Sequence, residues 1–181
     1  MNKTRSWVTM LGMASIFASP VLEAVAQPNT VTSTMNVTCK ANTSVPKVVA
    51  SFANQENARD LTILSFLSQY FSSPEALKNC ENTAKTLQKL YTSGRANYLT
   101  NDKLNTQPVV CAVERRGIGC SHYSAQVLFT FNEKVNASQA LYEMLGSDFK
   151  QPNPPDSRTV SRIYSDIKLS KKKKLIPFLP F

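Results

Sequence analysis

The sequence predicts an α+β fold, in which a small antiparallel sheet packs against two or three helices and two disulfides staple the elements together. Three observations indicate this class. Apolar residues recur at a spacing of two in some segments and of three to four in others, in the order strand, strand, helix, helix, strands, helix. Strands and helices do not alternate as they would in a parallel sheet. The chain also contains four cysteines, an even number that can pair completely.

Changes in composition predict four regions. Residues 1–26 are predicted to be a signal peptide, residues 27–35 a flexible N-terminal segment, residues 36–149 the α+β domain, and residues 150–181 a Pro-rich linker with a basic, aromatic C-terminal tail. The formal net charge is +9, and residues 151–181 alone carry seven basic and two acidic side chains. The hydrophobic fraction of 42% is typical of a globular domain with its own core.

Residues 1–26 have the three parts of a secretory signal peptide. Lys3 and Arg5 form a positively charged start, and an apolar stretch follows over residues 7–17. The small side chains of Ala24 and Ala26 then provide a cleavage site before residue 27. An uncleaved membrane anchor would need roughly 20 apolar residues, and this stretch is shorter. We therefore expect export to the periplasm, the thylakoid lumen or the extracellular medium.

The cysteines agree with an oxidising destination, where four thiols form two disulfides. They are Cys39, Cys80, Cys111 and Cys120. Of the three connectivities that four cysteines allow, we predict Cys111–Cys120, because the eight residues between them include two glycines and can turn back. Cys39–Cys80 follows by elimination. The spacings do not suit a zinc site, and the single histidine, His122, cannot complete one. We expect no metal and no cofactor.

The N-terminal half is predicted to form a hairpin and two helices. Alternating polar and apolar residues indicate strands over residues 36–39 and 46–52, joined by a turn. Over residues 60–71, apolar residues recur at helical spacing, which predicts a largely buried helix. The second helix has clearer ends, because Ser73 can cap its first turn and Gly94 follows its last.

The C-terminal half is predicted to be mainly sheet. We expect strands over residues 96–100, 108–113 and 123–131, with a turn over residues 101–105. In the last strand, alternate residues from Tyr123 to Phe131 are expected on one face. A third helix is predicted from Ser138 to near Gly146. After the Pro-rich residues 151–155, the spacing of Ile163, Tyr164 and Ile167 indicates a short helical turn.

Five short segments occur in an order that suggests a family. They are residues 68–71 (Ser-Gln-Tyr-Phe), 98–100 (Tyr-Leu-Thr), 105–111 (Asn-Thr-Gln-Pro-Val-Val-Cys), 119–120 (Gly-Cys) and 127–130 (Val-Leu-Phe-Thr), with Cys80 in register. With these segments, the sequence resembles the circadian oscillating protein (COP) domain family of cyanobacteria over residues 36–145. It departs from the family pattern at Thr106, where glycine is expected in the turn. The resemblance implies an exported protein, attached peripherally to membranes in some members, and it implies no catalytic residue.

The basic tail is the clearest candidate contact surface. Its candidate residues are Lys171, Lys172, Lys173, Lys174, Phe178 and Phe181. Near an anionic bilayer each lysine is worth about 1 kcal/mol before screening, and charge combined with apolar side chains gives reversible attachment. An unstructured solubilising tail is the alternative. Predicted export argues against a nucleic acid as the partner.

In the domain itself, Arg115 and Arg116 lie between two predicted disulfide cysteines and could contact an acidic partner or a lipid phosphate. A solvated charged turn is the alternative. His122 as a general base would need a nucleophile and an orienting acid, and Asp102 and Glu114 flank the same strand without evident proximity.

Two function classes therefore remain open. The leading hypothesis is an exported non-enzymatic domain that associates peripherally with an anionic membrane surface or an acidic envelope protein. The alternative is a small secreted hydrolase or protease-inhibitor-like protein that uses a cleft or the arginine loop. No catalytic residue is predicted in either case, and the sequence leaves the oligomeric state open.

Overall fold

The structure, a computed structural model, describes residues 35–52, 60–155 and 162–168. Their elements in chain order are β1 (Met35–Lys40), β2 (Lys47–Phe52), β3 (Leu61–Ser65), α1 (Ser73–Thr92), β4 (Tyr98–Leu104), β5 (Gln107–Val113), β6 (Gln126–Thr130), α2 (Ala137–Met144), a short 3₁₀ helix (Ser147–Phe149) and β7 (Tyr164–Asp166). The predicted signal peptide, Lys171, Lys172, Lys173, Lys174, Phe178 and Phe181 lie outside the described residues.

The strands form two antiparallel sheets, and the predicted α+β class is confirmed. One sheet has the order β1-β2-β3 and the other the order β6-β5-β4-β7. Neighbouring strands in both sheets run antiparallel. The predicted N-terminal hairpin is also confirmed, with Val37 opposite Ala50 and Cys39 opposite Val48.

The predicted helix over residues 60–71 is wrong, because residues 61–65 form β3, antiparallel to β2. The side chains of Ile63 and Leu64 are both fully buried. Leu64 bridges to Leu145, and the Gly146 amide donates to the carbonyl oxygen of Ile63. A strand covered on both faces carries a continuous apolar run, which has no period of its own to distinguish it from a buried helix.

Helix α1 confirms the second predicted helix to within a residue at its start. Its N-cap is Ser72, whose amide donates to the Glu75 carboxylate at 3.0 Å. Gly94, just past the end, has φ of 71°, a left-handed conformation that suits glycine. The amide of Gly94 donates to Tyr91, and that of the next residue donates to Leu90. Helix α2 confirms the third predicted helix, with Asn136 as its N-cap.

The β4–β5 hairpin turns at residues 105–106, so the predicted turn over residues 101–105 is wrong. Asn105 and Thr106 have φ of 48° and 70°, which gives the two left-handed residues of a type I′ turn. This turn matches the twist of the flanking strands and lets β4 continue to Leu104. Thr106 is β-branched, and such residues adopt this conformation at a cost in energy.

Strand β6 is shorter than predicted, and its residues do not share one face as expected. Tyr123 lies before the strand and is 92% exposed, and Val127 is 43% exposed. Phe129 and Phe131 are buried. The reason is a register shift between Val110 and the next residue of β5, which interrupts the alternation.

The predicted helical turn around Ile163 is also wrong, because Tyr164–Asp166 forms strand β7. β7 pairs with β4, and the buried hydroxyl of Ser165 donates to the carbonyl of Phe149. Ile163 and Ile167 are buried on either side of it. Residues beyond 149, which we assigned to the linker and tail, therefore contribute a strand to the sheet.

Alternate residues of β5 lie in two separate apolar cores on opposite faces of the four-stranded sheet. Val110 and Ala112 belong to the main core, which the helices and the three-stranded sheet enclose. The small core on the other face contains Val109, Cys111, Val113 and Cys120, with Tyr98, Leu104, Ile118, Ala125 and Tyr164 packed against it. Residues 114–125 leave β5, contribute to this core, and return to β6.

Both predicted disulfide pairings are confirmed. Cys39–Cys80 joins β1 to α1 with a Cα–Cα distance of 5.5 Å, and Cys111–Cys120 joins β5 to the following loop at 5.7 Å. Covalent pairs of this kind indicate a non-reducing environment for the folded protein.

Candidate functional site

The predicted contact residues Arg115 and Arg116 are exposed on the loop of residues 114–119, here called the Arg loop. The loop begins directly after Val113, the last residue of β5. Val113 lies opposite Tyr98 of β4, and Tyr98 also lies opposite Asp166 of β7. The end of β5 and the end of β7 therefore flank the start of β4.

Tyr98 is half-buried and contacts a cation from each of these neighbours. The guanidinium carbon of Arg116 lies 5.5 Å from the Tyr98 ring centroid, and the Lys168 ammonium lies 5.3 Å from it. Both distances are within the range of cation–π attraction. We call the group formed by Arg115, Arg116 and Lys168 the basic end of the four-stranded sheet.

Four contacts hold the Arg loop besides the contact of Arg116 with Tyr98. One is the Cys111–Cys120 disulfide. The side-chain amide of Asn97 donates to the Glu114 carbonyl at 2.7 Å, and the Tyr164 hydroxyl donates to the Ile118 carbonyl at 3.0 Å. The Asp102 carboxylate accepts the Cys120 amide at 2.9 Å. The backbone that carries the two arginines is thus fixed at both ends and in between.

Gly119 packs directly on an ion pair, which explains why a glycine ends the Arg loop. The Arg162 guanidinium donates to the Asp102 carboxylate at 3.0 Å. A Cβ at Gly119 would overlap both side chains, so a larger residue would separate the pair or lift the loop. The hydrogen bond that Arg162 donates to Asp102 raises the pKa of Arg162 above its ordinary value, despite the opposing effect of burial.

Lys168 was not among the residues predicted from sequence. Its place depends on β7 being a strand, because the register of β7 on β4 carries residue 168 past Tyr98. In the folded chain Ile163, Ser165 and Ile167 are buried and alternate with exposed or half-buried neighbours, but in the sequence alone the spacing of the apolar residues fits a helical turn equally well. Two acidic residues lie close in sequence to the basic end: Glu114 directly precedes Arg115, and Asp166 lies two residues before Lys168. The Asp166 carboxylate accepts the Lys168 backbone amide at 2.9 Å.

The candidates for catalysis do not come together among the described residues. His122 Nδ1 lies 2.8 Å from the Ser124 hydroxyl and accepts the Ser124 amide at 3.2 Å, which closes a local turn. The His122 ring packs against the Tyr123 ring, with centroids 4.3 Å apart and the planes tilted by 34°. The Glu114 backbone is held by Asn97, which directly precedes β4 and lies five residues before Asp102, or roughly 16 Å in extended chain.

Two absences hold for residues 35–52, 60–155 and 162–168. No group of three or more histidine, cysteine or acidic side chains there is arranged to hold a metal ion. No helix in that part of the chain is long and apolar enough to cross a membrane.

A groove of about 660 Å³ lies along β4 near the start of β7, whereas the basic end lies near the end of β7. β7 pairs only with Tyr98, Leu99 and Thr100, so residues 101–103 of β4 form one wall. Residues 133–137, which lead into α2, form the opposite wall. Arg162 and Tyr164 complete the lining of the groove. Sequence reasoning missed this groove because its walls come from three distant parts of the chain.

The family resemblance was tested by comparison with known proteins. No match to a curated protein or to a solved structure was found. The family model of the circadian oscillating protein COP23 matches residues 37–172, which includes both disulfides, the Arg loop, the groove and β7. This chain therefore belongs to the circadian oscillating protein COP23 family.

Proposed function

We propose that this chain is an exported, non-enzymatic domain that attaches peripherally to an anionic membrane surface through its basic end and its basic tail. The observation that carries the proposal is the strand register around Tyr98. Because Tyr98 lies opposite both Val113 and Asp166, the Arg loop and the segment that leads to the tail leave the sheet at the same end.

The basic end and the first lysine of the tail together bring several positive charges close to one another. Arg116 and Lys168 flank Tyr98, and Arg115 is exposed beside them. Lys171 follows Lys168 by only three residues, so chain length alone keeps the first tail lysine near this end. A cluster of four to eight basic residues is the composition that anionic lipid surfaces attract.

The rigidity of the Arg loop favours binding. Its disulfide and its hydrogen bonds to Asn97, Asp102 and Tyr164 hold the backbone in place before any partner arrives. Binding then orders few backbone groups, which lowers its entropic cost. Arginine in such a position can donate two parallel hydrogen bonds to a phosphate.

Export is part of the same proposal. It is supported by the predicted signal peptide, whose residues lie outside the described ranges, and by the two disulfides, which are rare in reducing compartments. The periplasm, the thylakoid lumen and the extracellular medium are all destinations in which disulfides can persist.

The test measures binding of the full chain to phosphatidylcholine vesicles with and without phosphatidylglycerol, at low and at high salt. We expect binding only to the anionic vesicles, weakened by salt because exposed charges are screened. Arg115→Gln/Arg116→Gln should weaken it by roughly 30-fold, and deletion of residues 171–181 by roughly a thousandfold, at about 1 kcal/mol for each cation removed.

The matched control is Lys85→Gln/Lys89→Gln, which removes two exposed charges from α1. This control should bind like the unaltered chain, because α1 is not part of the basic end. Equal losses in the control and in the arginine variant would reduce the effect to net charge and contradict a specific surface. No binding to anionic vesicles would overturn membrane attachment and direct the search to an acidic envelope protein.

A further inference from the structure

We infer that the groove beside β4 is a binding site for a small molecule that carries an oxyanion group, such as a phosphate ester or a carboxylate. This inference does not depend on membrane attachment. The volume of the groove, about 660 Å³, falls within the range of small-molecule sites in proteins, roughly 300–1,000 Å³. The basic end begins at Tyr98 and the groove at Asn101, so the two surfaces occupy different parts of β4.

The groove is lined by more positive than negative charge. Lys103, Lys134 and Arg162 contribute cations, and Asp102 and Glu133 contribute carboxylates. Asp102 is already neutralised, because it pairs with Arg162 and accepts the Cys120 amide. Lys103 and Lys134 form no ion pair with any residue in the described ranges. Two ammonium groups are thus available to a ligand, against the single carboxylate of Glu133.

Arg162 is held in a fixed orientation at the end of the groove. Its Nη2 donates to Asp102 at 3.0 Å, and Asp102 is itself fixed by the backbone amides of Lys103 and Cys120. One edge of the guanidinium is used in this way, while the side chain remains 43% exposed. A planar guanidinium with donors still exposed is suited to a carboxylate or a phosphate.

The opposite wall contributes apolar surface rather than a further donor. Ala137, the first residue of α2, lines the groove, and the amides of the next two residues of the helix already donate to the Asn136 side chain. Val135 and Tyr164 supply apolar surface between the charged groups. A charged group on a small organic body therefore fits this wall better than a bare ion.

The test is an amide-resolved NMR titration of the full chain with glucose 6-phosphate, citrate and, as a bare ion, inorganic phosphate. We expect the organic anions to shift the amides of residues 101–103 and 133–137. Lys103→Gln/Lys134→Gln should weaken binding by roughly tenfold for each lysine, because each loses a charge-assisted hydrogen bond. Both lysines are exposed, so the fold should be retained, and Lys85→Gln/Lys89→Gln on α1 is the matched control.

Three results would overturn the inference. The first is the absence of saturable shifts with either organic anion. The second is equal affinity in the Lys103→Gln/Lys134→Gln variant and the unaltered chain. The third is a set of shifts confined to residues 114–119 and 168, which would assign the anion to the basic end. Vesicle binding unchanged in the same variant would support a soluble ligand, whereas a matching loss would assign these lysines to the membrane and contradict the groove as a separate site.

Discussion

The main core and the small core share one sheet but are closed in different ways. The main core lies between two sheets and two helices, and its aromatic residues Phe66, Phe71, Phe129 and Phe131 pack against one another at ring distances of 5.1–5.8 Å. The small core is covered mainly by a loop without regular secondary structure. Area buried between regular elements stabilises the first, whereas a covalent bond and a few polar contacts must hold the second.

The two disulfides make this difference measurable, because each belongs to one core. Cys39–Cys80 spans 41 residues and ties β1 to α1 at the main core, while Cys111–Cys120 spans nine residues and closes the small core. In the chain-entropy picture, a bridge stabilises more when it closes a longer loop. Removing each bridge in turn therefore separates a global effect from a local one.

The largest effect is expected for Cys39→Ala/Cys80→Ala. The chain-entropy relation gives a loss of about 4 kcal/mol for a loop of this length, a large part of the 5–15 kcal/mol that typical domains possess. Urea denaturation followed by far-ultraviolet circular dichroism measures it. An unchanged midpoint would show that the packing of β1 on α1 holds this region without the bridge.

A smaller and more local effect is expected for Cys111→Ala/Cys120→Ala, at about 2.5 kcal/mol. Amide hydrogen exchange should become faster in residues 114–125, while α1 keeps its protection, because the main core does not depend on the Arg loop. Equal acceleration in α1 would mean that the two cores unfold as one unit. The Cys39→Ala/Cys80→Ala variant is the matched comparison.

The smallest effect concerns the hairpin that both cores share. Thr106→Gly should raise the free energy of unfolding by about 1 kcal/mol, because glycine adopts a φ of 70° without the cost that a β-branched residue incurs. Thermal denaturation measures the change. Thr130→Gly, in strand β6 where φ is not positive, should lower stability by a similar amount. Destabilisation by both substitutions would show that Thr106 is not strained.

Local signals were sufficient for some elements and not for others. The sequence placed the cap of α1 at Ser73, one residue from the actual cap Ser72, and placed its end before Gly94, so local residues were enough to predict this helix. β3 and β7 could not be predicted, because their conformation depends on distant partners. The Ile63 carbonyl in β3 accepts the amide of the distant Gly146, and β7 pairs with β4 more than sixty residues earlier in the chain. The periodicity of each short segment fits a helix equally well until its partner is known.

The same distinction applies to the candidate surfaces. Arg115 and Arg116 are adjacent and precede a cysteine, so the sequence alone identifies them. Lys168 joins them only through the register of β7. The groove is harder to predict from sequence, because Lys103, Lys134 and Arg162 come together only when the loop before α2 and the segment that leads into β7 both lie beside β4.

The position of β7 has a practical consequence for anyone who shortens this chain. A version that stopped at residue 149 would retain both disulfides, both helices and most of the sheet. It would also leave β4 as an open border strand along Tyr98, Leu99 and Thr100, the residues that β7 covers. Unpaired peptide groups on such a strand recruit strands from other molecules. Fragments intended for fusion or display should therefore extend at least to Lys168, so that the three-residue strand β7 rather than the seven-residue strand β4 forms this edge of the sheet.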